Sequence, residues 1–337
     1  MRLSMHKTIR VPGRKLLIVS LFAIFTAQVY SQSFFDYGFE FSTVGTSGMN
    51  FMKIGSGARS AGMAMTGTGL IGQAENLFHN PAGIAFMSSP DVSFSTNSWL
   101  AGSVQHSIAA AVPVGQMVLG LTVLNFKISD IEETTVSQPL GTGNMISAGD
   151  LQLGLSLAKQ FTDKLGIGGQ VKWVQETLAE YESNNVLIDL GATYFMGYKD
   201  IRVSFVFQHF GPDIQIVEQT LRMPLIFRMG LTGDLIKTSK SKLLMSLELS
   251  HPTDNLEQVA IGLEYTLLNR LSLRTGYRMF TGGDDELLDV DHRATDENTM
   301  VLGFGINAYK GFNLDYALVP HGDAMGDIHH FTAGFNF

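Results

Sequence analysis

Gln258-Val259-Ala260-Ile261-Gly262-Leu263-Glu264-Tyr265-Thr266-Leu267 is followed by Leu268-Asn269 and then by Arg270-Leu271-Ser272-Leu273-Arg274-Thr275-Gly276-Tyr277-Arg278-Met279. Nearly every second side chain is large and apolar, and those between are small, polar or charged. The pattern restarts after a two-residue break. Period two is the mark of a strand with two unlike faces, and two such runs across so short a break read as a hairpin. The same alternation recurs at Leu151, Leu153, Leu155 and Leu157, at Leu243, Met245, Leu247 and Leu249, and at Phe312, Leu314, Tyr316 and Leu318. It governs the chain from about residue 90 to the end.

A soluble sandwich alternates in the same way. Three features point instead to a membrane barrel. The runs often reach ten or more residues, the length of a tilted membrane-crossing strand. Their polar face carries Arg202, Arg228, Glu248, Glu264, Arg274, Arg278 and Asp315, which a wet lumen tolerates. Short connections (Val114-Gly115, Thr162-Asp163, Tyr198-Lys199, Leu268-Asn269, Tyr309-Lys310) alternate with long ones (Lys127–Ser147, Gln208–Pro224, Gly282–Asp296), as periplasmic turns alternate with outer loops. The spacing predicts an all-β, transmembrane antiparallel β-barrel of about fourteen strands over residues 90–337. An even number leaves both barrel ends on the periplasmic side. Phe331, Phe335 and Phe337 alternate to a carboxy-terminal Phe, the form of a terminal-strand assembly signal; the last strand must meet the first or leave a polar edge in lipid.

Residues 1–31 read as a secretory signal peptide. Arg2, Lys7, Arg10, Arg14 and Lys15 form a positive start, Leu16–Val29 an apolar run, and Val29-Tyr30-Ser31 a cleavage site. The apolar run is short for a membrane anchor. The chain has 23 Lys+Arg and 31 Asp+Glu. Removing 1–31, with five basic residues and no acid, leaves 18 against 31 and a net charge of −13, which disfavours nucleic-acid binding. There is no cysteine, so an exported chain must rely on burial, backbone pairing or lipid.

Between the leader and the first strand, residues 32–89 behave differently. Gly45 to Met87 is rich in Gly, Ala and Ser and has neither helical nor strand period. We read it as a plug inside the barrel. Small residues let it approach the wall, and Lys53 and Arg59 are expected to pair with lumenal carboxylates such as Glu248 or Glu264. Asn80-Pro81 reads as the turn that releases the chain into the first strand.

Two motifs in this stretch, Gly48-Met-Asn-Phe-Met-Lys-Ile-Gly-Ser-Gly-Ala-Arg-Ser-Ala-Gly-Met63 and Asn80-Pro-Ala-Gly-Ile-Ala85, resemble those of the PorV/PorQ group of FadL-like outer-membrane barrels. The likeness rests on Phe51, Lys53, Gly55, Gly57, Arg59 and Gly62 in the first motif and Asn80, Pro81 and Gly83 in the second. Met63-Ala-Met-Thr-Gly67 and Phe78-His79 depart from the group's usual residues before Asn-Pro, so the branch is open. The resemblance implies a component of type IX protein secretion in the Gram-negative outer membrane, reached by Sec-type export and signal cleavage. Its implied partners are outer-membrane lipid, the barrel assembly machinery, secreted cargo proteins and other secretion-system components. It implies no enzyme activity. The alternative is a FadL-like channel for hydrophobic molecules, which needs an apolar pocket beside the plug and a kinked strand; Gly168-Gly169 is the candidate kink.

No chemistry-bearing motif competes with this reading. Gly55-x-Gly57 and Gly67-x-Gly69 lack the strand–turn–helix setting of a dinucleotide fingerprint, and no cofactor is expected. Asp284, Asp285, Glu286, Asp289 and Asp291 form an acidic outer loop, a candidate contact surface for partners, without EF-hand spacing for Ca²⁺. His321, Asp323, Asp327, His329 and His330 cluster near the last outer loop, yet no serine stands out beside them. Trp99 and Tyr198 sit at the levels of aromatic belts.

Overall fold

The computed structural model describes residues 45–216, 219–281, 299–308, 311–321 and 326–337. The expected signal peptide, residues 32–44 and the acidic-loop residues Asp284, Asp285, Glu286, Asp289 and Asp291 lie outside the described residues.

The chain forms β1 (Asp91–Ser98), β2 (Val104–Val114), β3 (Met117–Glu132), β4 (Met145–Gln160), β5 (Leu165–Leu178), β6 (Tyr181–Phe195), β7 (Arg202–Phe210), a small hairpin of β8 (Ile214–Ile216) and β9 (Gln219–Leu221), then β10 (Ile226–Lys237), β11 (Ser241–Pro252), β12 (Glu257–Leu267), β13 (Leu271–Thr281), β14 (Thr299–Asn307), β15 (Phe312–Val319) and β16 (Ile328–Asn336). Fourteen of these close one antiparallel barrel, and β8 and β9 pair only with each other. Closure is made by β1 on β16, from Asp91 opposite Asn336 to Ser98 opposite His329. Phe335 stands across from Val92 on one side and Phe312 on the other. With each of the fourteen barrel strands paired on both edges, no ladder row of theirs among the described residues is left open to lipid.

The period-two pattern sorts the faces as the sequence implies. Phe94, Leu121, Leu155, Leu190, Phe207, Leu231, Leu273, Leu302 and Phe331 are exposed on the outside. Such a continuous apolar exterior suits hydrocarbon, not water. Gln170, Lys172, Asp189, Arg202, Glu248, Glu264, Arg274 and Asp315 are buried on the inside. Among the described residues no helix is long and apolar enough to cross a membrane. The short turns gather at one end. Leu268 and Asn269, with φ of 55° each, and Lys199 and Asp200, with 50° and 52°, take left-handed conformations; paired positive φ matches a tight turn to strand twist.

Two connections differ from expectation. Lys127–Ser147 is not all loop: β3 and β4 stay paired out to Glu132 opposite Met145, because β-branched and apolar residues there continue the alternation. Gln208–Pro224 contains the β8–β9 hairpin.

The segment from Gly45 to Ser89 fills the barrel. It begins at the long-loop end, where the Gly45 amide donates to the Asp254 carbonyl at 3.2 Å and the Gly48 amide to the Arg222 carbonyl at 3.0 Å. It leaves at the short-turn end, where Asp91 opens β1. On the way it makes only single helical turns, at Asn50–Lys53, Ala58–Ala61, Ala74–Phe78 and Pro81–Phe86. Four apolar patches seat it, one of them Met63 and Leu70 against Leu244. Met49, Phe51 and Met52 pack with Leu124, Phe126, Val174 and Leu187. Ala58, Ala61 and Ala64 pack with Val301, Ala317 and Ile328. Leu77, Ile84 and Ala85 pack with Ala109, Val118 and Ala158.

Candidate functional site: the plug and the vestibule above it

The wall is cut to receive the plug. A Cβ at Gly168 would lie 2.5 Å from the Pro81 carbonyl carbon and oxygen, and one at Gly191 would collide with the Asn80 amide oxygen. At Gly276 it would come within 2.5 Å of the Met63 carbonyl carbon. The paired glycines at 168–169 therefore make no kink. The β4–β5 ladder runs through them without a break, Leu157 opposite Gly169 and Ala158 opposite Gly168. What looks like a strand weakness is clearance for Asn80-Pro81.

Asn80 itself is spatially central. Its side chain accepts from the Ala82 amide at 2.9 Å, capping the turn that Pro81 opens, and donates to the Thr68 carbonyl at 2.9 Å. A Cβ at Gly83 would meet the Leu70 carbonyl, so Gly83 lets two plug strands of backbone touch.

Charge fastens the plug at mid-height. Arg59 Nε and Nη2 donate to the two Glu264 oxygens at 2.9 and 2.8 Å, and Nη1 to Gln73 Oε1 at 2.6 Å. Glu264 also accepts from Arg274 Nε at 2.7 Å, and Arg274 Nη1 donates to Asp315 Oδ1 at 2.6 Å. Two cations and two anions cancel here, which is what makes burial of all four tolerable. Glu75 lies beside this group with neither carboxylate oxygen hydrogen-bonded among the described residues. Lys53 does not reach a lumenal Glu. Its Nζ pairs with Asp254 Oδ2 at 2.6 Å on the β11–β12 loop, because residues 45–53 run along the long-loop rim, above Glu248 and Glu264. Glu248 instead accepts the Thr68 amide at 2.9 Å. Of the other motif positions, Phe51 sits in the rim-side apolar patch, and Gly57 takes a φ of 95° with Glu75 against it. Gly62 abuts Gly303 of β14, and Gly55 leaves room for Met65.

The wall shifts register in β3–β4 between Ile128 and Ile131, in β10–β11 between Asp234 and Ile236, and beside the plug in β6–β7. In β6–β7 the shift falls between Ile188 and Leu190, and His209 bulges with φ 66°. The freed His209 amide donates to Asp189 Oδ1 at 2.8 Å, while Lys172 Nζ pairs with Asp189 Oδ2 at 2.8 Å. Sequence reading missed this bulge because Gly211-Pro212, just beyond His209, reads as the start of a loop.

Above the plug, at the long-loop end, lies a cavity of about 270 Å³. One side is apolar: Trp99, Val301, Val319 and Ile328 pack as a group with Met65 of the plug. The other side carries Lys53, Arg228 and Glu248, with Arg278 between the two. Trp99 therefore turns inward to line this vestibule and is not part of an outer belt. Tyr198 is exposed at the short-turn end. The histidines part company: His330 is buried on the lumenal face with Nε2 unpartnered among the described residues, while His329 Nδ1 contacts the Tyr316 hydroxyl at 2.8 Å. Adjacent strand residues face opposite ways, so they form no joint site. Among the described residues no three His, Cys, Asp or Glu groups are placed to hold a metal.

No protein-family model matches the sequence, and no curated protein matches it. Solved structures do match. The Ralstonia pickettii toluene transporter TbuX superposes with a TM-score of 0.60 at 14% identity, over 84% of this chain and 98% of that one. The CymD monoaromatic hydrocarbon channel gives 0.60 at 13%, over 84% and 98%. A Pseudomonas aeruginosa FadL homologue gives 0.56 at 11%, over 84% and 98%. The fold is FadL-like.

Proposed function

We propose that this chain is a plugged outer-membrane channel that admits small hydrophobic molecules from the long-loop side. The observation that carries this reading is the vestibule: a cavity walled on one side by Trp99, Val301, Val319 and Ile328 and resting directly on a plug that fills the lumen. A polar solute channel would present an open wet bore. The similar solved structures include a toluene transporter and a monoaromatic hydrocarbon channel. The register shift in β6–β7 beside the plug is where this reading looks for a lateral exit. The test is uptake of a radiolabelled alkylbenzene by cells with and without the protein at equal outer-membrane levels. Equal uptake would refute the channel.

A second reading, a cargo-binding component of type IX secretion, rests on the PorV/PorQ-like motifs and on one feature of the long-loop end. The β3–β4 ribbon outruns its neighbours: β2 stops at Val104 opposite Lys127, and β5 at Leu178 opposite Ala148. Beyond that ribbon, Val136 and Leu140 are 105% and 96% exposed, as a protein-binding tip would be. Co-purification of secreted surface proteins, lost on Val136→Ser/Leu140→Ser while alkylbenzene uptake persists, would favour this reading.

A further inference from the structure

The short-turn rim carries a repeated device. Four turns in succession around the barrel each present one basic residue: Lys164 between β4 and β5, Lys199 between β6 and β7, Lys240 between β10 and β11, and Arg270 between β12 and β13. The carbonyl of each accepts an amide from the next hairpin. Phe195 donates to Lys164 at 2.8 Å, Asp234 to Lys199 at 3.2 Å, Leu268 to Lys240 at 2.5 Å and Asn307 to Arg270 at 2.6 Å. The four backbones are thereby fixed in one arc, on the order of 10 Å apart, two strand spacings. All four residues are exposed, and none makes an ion pair among the described residues. The acids close to them are taken: Asp200 pairs with Lys237 at 2.6 Å and Asp234 with Lys242 at 3.0 Å. Asp163 alone in these turns stands against the four cations. The opposite rim has the other sign, with Asp130, Glu132, Glu180, Glu182 and Asp213 exposed at the long-loop end.

The surroundings of the arc face lipid. Phe161, Met196, Tyr198, Ile236 and Leu268 are exposed beside the four cations. A fifth cation, Lys159, continues the outward row of Leu153, Leu155 and Leu157, so its ammonium leaves hydrocarbon only by reaching toward the headgroups. Its Nζ lies 5.5 Å from the centre of the Phe161 ring, and Lys199 Nζ lies 5.6 Å from that of Tyr198. Cations and amphipathic rings at one depth are the composition of a membrane interface. We propose that this arc binds the phosphates of anionic phospholipids in the leaflet on the short-turn side. The proposal goes beyond the channel reading: it rests on the barrel's place in a membrane and not on what the barrel carries. An acidic protein could meet the turn tips, but the cationic and aromatic surface runs on to the outward face, where only lipid reaches. The binding is one-sided, because the β2–β3 turn, Val114-Gly115-Gln116, carries no charge.

The test is native mass spectrometry of the purified full chain in detergent with equal amounts of dioleoyl phosphatidylglycerol and dioleoyl phosphatidylcholine, which differ in headgroup charge and share their tails. The anionic lipid should be retained in at least about fivefold excess, the effect of one cation at an anionic surface. Lys164→Gln/Lys199→Gln/Lys240→Gln/Arg270→Gln should bring the two lipids to parity, with heat-modifiable gel mobility kept as the sign of a folded barrel. Lys199→Gln and Lys240→Gln alone should each remove part of the excess, so the result does not depend on the fourfold variant folding. Lys127→Gln, at the opposite rim, should leave the excess as it was. Equal retention of the two lipids by the unaltered chain overturns the proposal. So does an undiminished excess in the single variants, or in a folded fourfold variant. Cross-linking in cells tests the rival occupant: an acidic periplasmic protein captured by the unaltered chain and lost from the fourfold variant, with the lipid excess the same in both, would assign the arc to a protein partner and overturn the lipid site. Alkylbenzene uptake is read separately, so failure of the arc and failure of the channel are distinct results.

Discussion

Replacing Arg59 by Ala should unlatch the plug. The guanidinium makes a two-point bond to Glu264 and a third to Gln73, and the pair is buried, with side chains 15% and 5% exposed. Removing one partner of a buried ion pair costs about 3–5 kcal/mol, because the other is left uncompensated. Glu264 keeps Arg274 at 2.7 Å, so the lower end applies, about 3 kcal/mol. At about 1.4 kcal/mol per tenfold, the equilibrium between seated and displaced plug shifts by roughly 10²-fold. The wall is untouched, since Arg59 belongs to no strand. Single-channel recording in planar bilayers should therefore show brief openings about a hundredfold more often than the unaltered protein, with heat-modifiable gel mobility unchanged. Arg59→Lys, which keeps the charge but loses the fork, should fall between. A silent Arg59→Ala barrel, matched by a silent Glu264→Ala barrel, would refute the view that this charge group holds the plug.

Gly168→Val should displace the Asn80-Pro81 turn, since even a Cβ there meets the Pro81 backbone at 2.5 Å. The expected sign is increased dye or antibiotic entry with barrel levels preserved, and normal tightness would count against the clearance argument. Deleting Phe335 to Phe337 removes pairs to Val92 and Phe312 at the closing seam, so outer-membrane levels should drop several-fold by immunoblot; unchanged levels would remove the terminal-strand signal from the account.

The wall was written locally. Alternation such as Val259 to Leu267, two-residue breaks such as Leu268-Asn269 and the closing Phe335 each depend on neighbours in sequence, and strand pairing between adjacent runs needs no more than that. The sequence therefore carried the strand count, the inward and outward faces and the even closure. The plug was a different matter. It has no period, and its seat is a match between two surfaces far apart in the chain. Only the folded barrel decided that Lys53 meets Asp254 while Arg59 meets Glu264, that Gly168 is clearance and the bulge falls at His209, and that Trp99 faces inward. The same holds for the vestibule. Arg228 on β10 and Trp99, just past the end of β1, lie on different parts of the wall, and nothing in a linear chain says which lumenal side chains will share one cavity once a plug has taken the space beneath them.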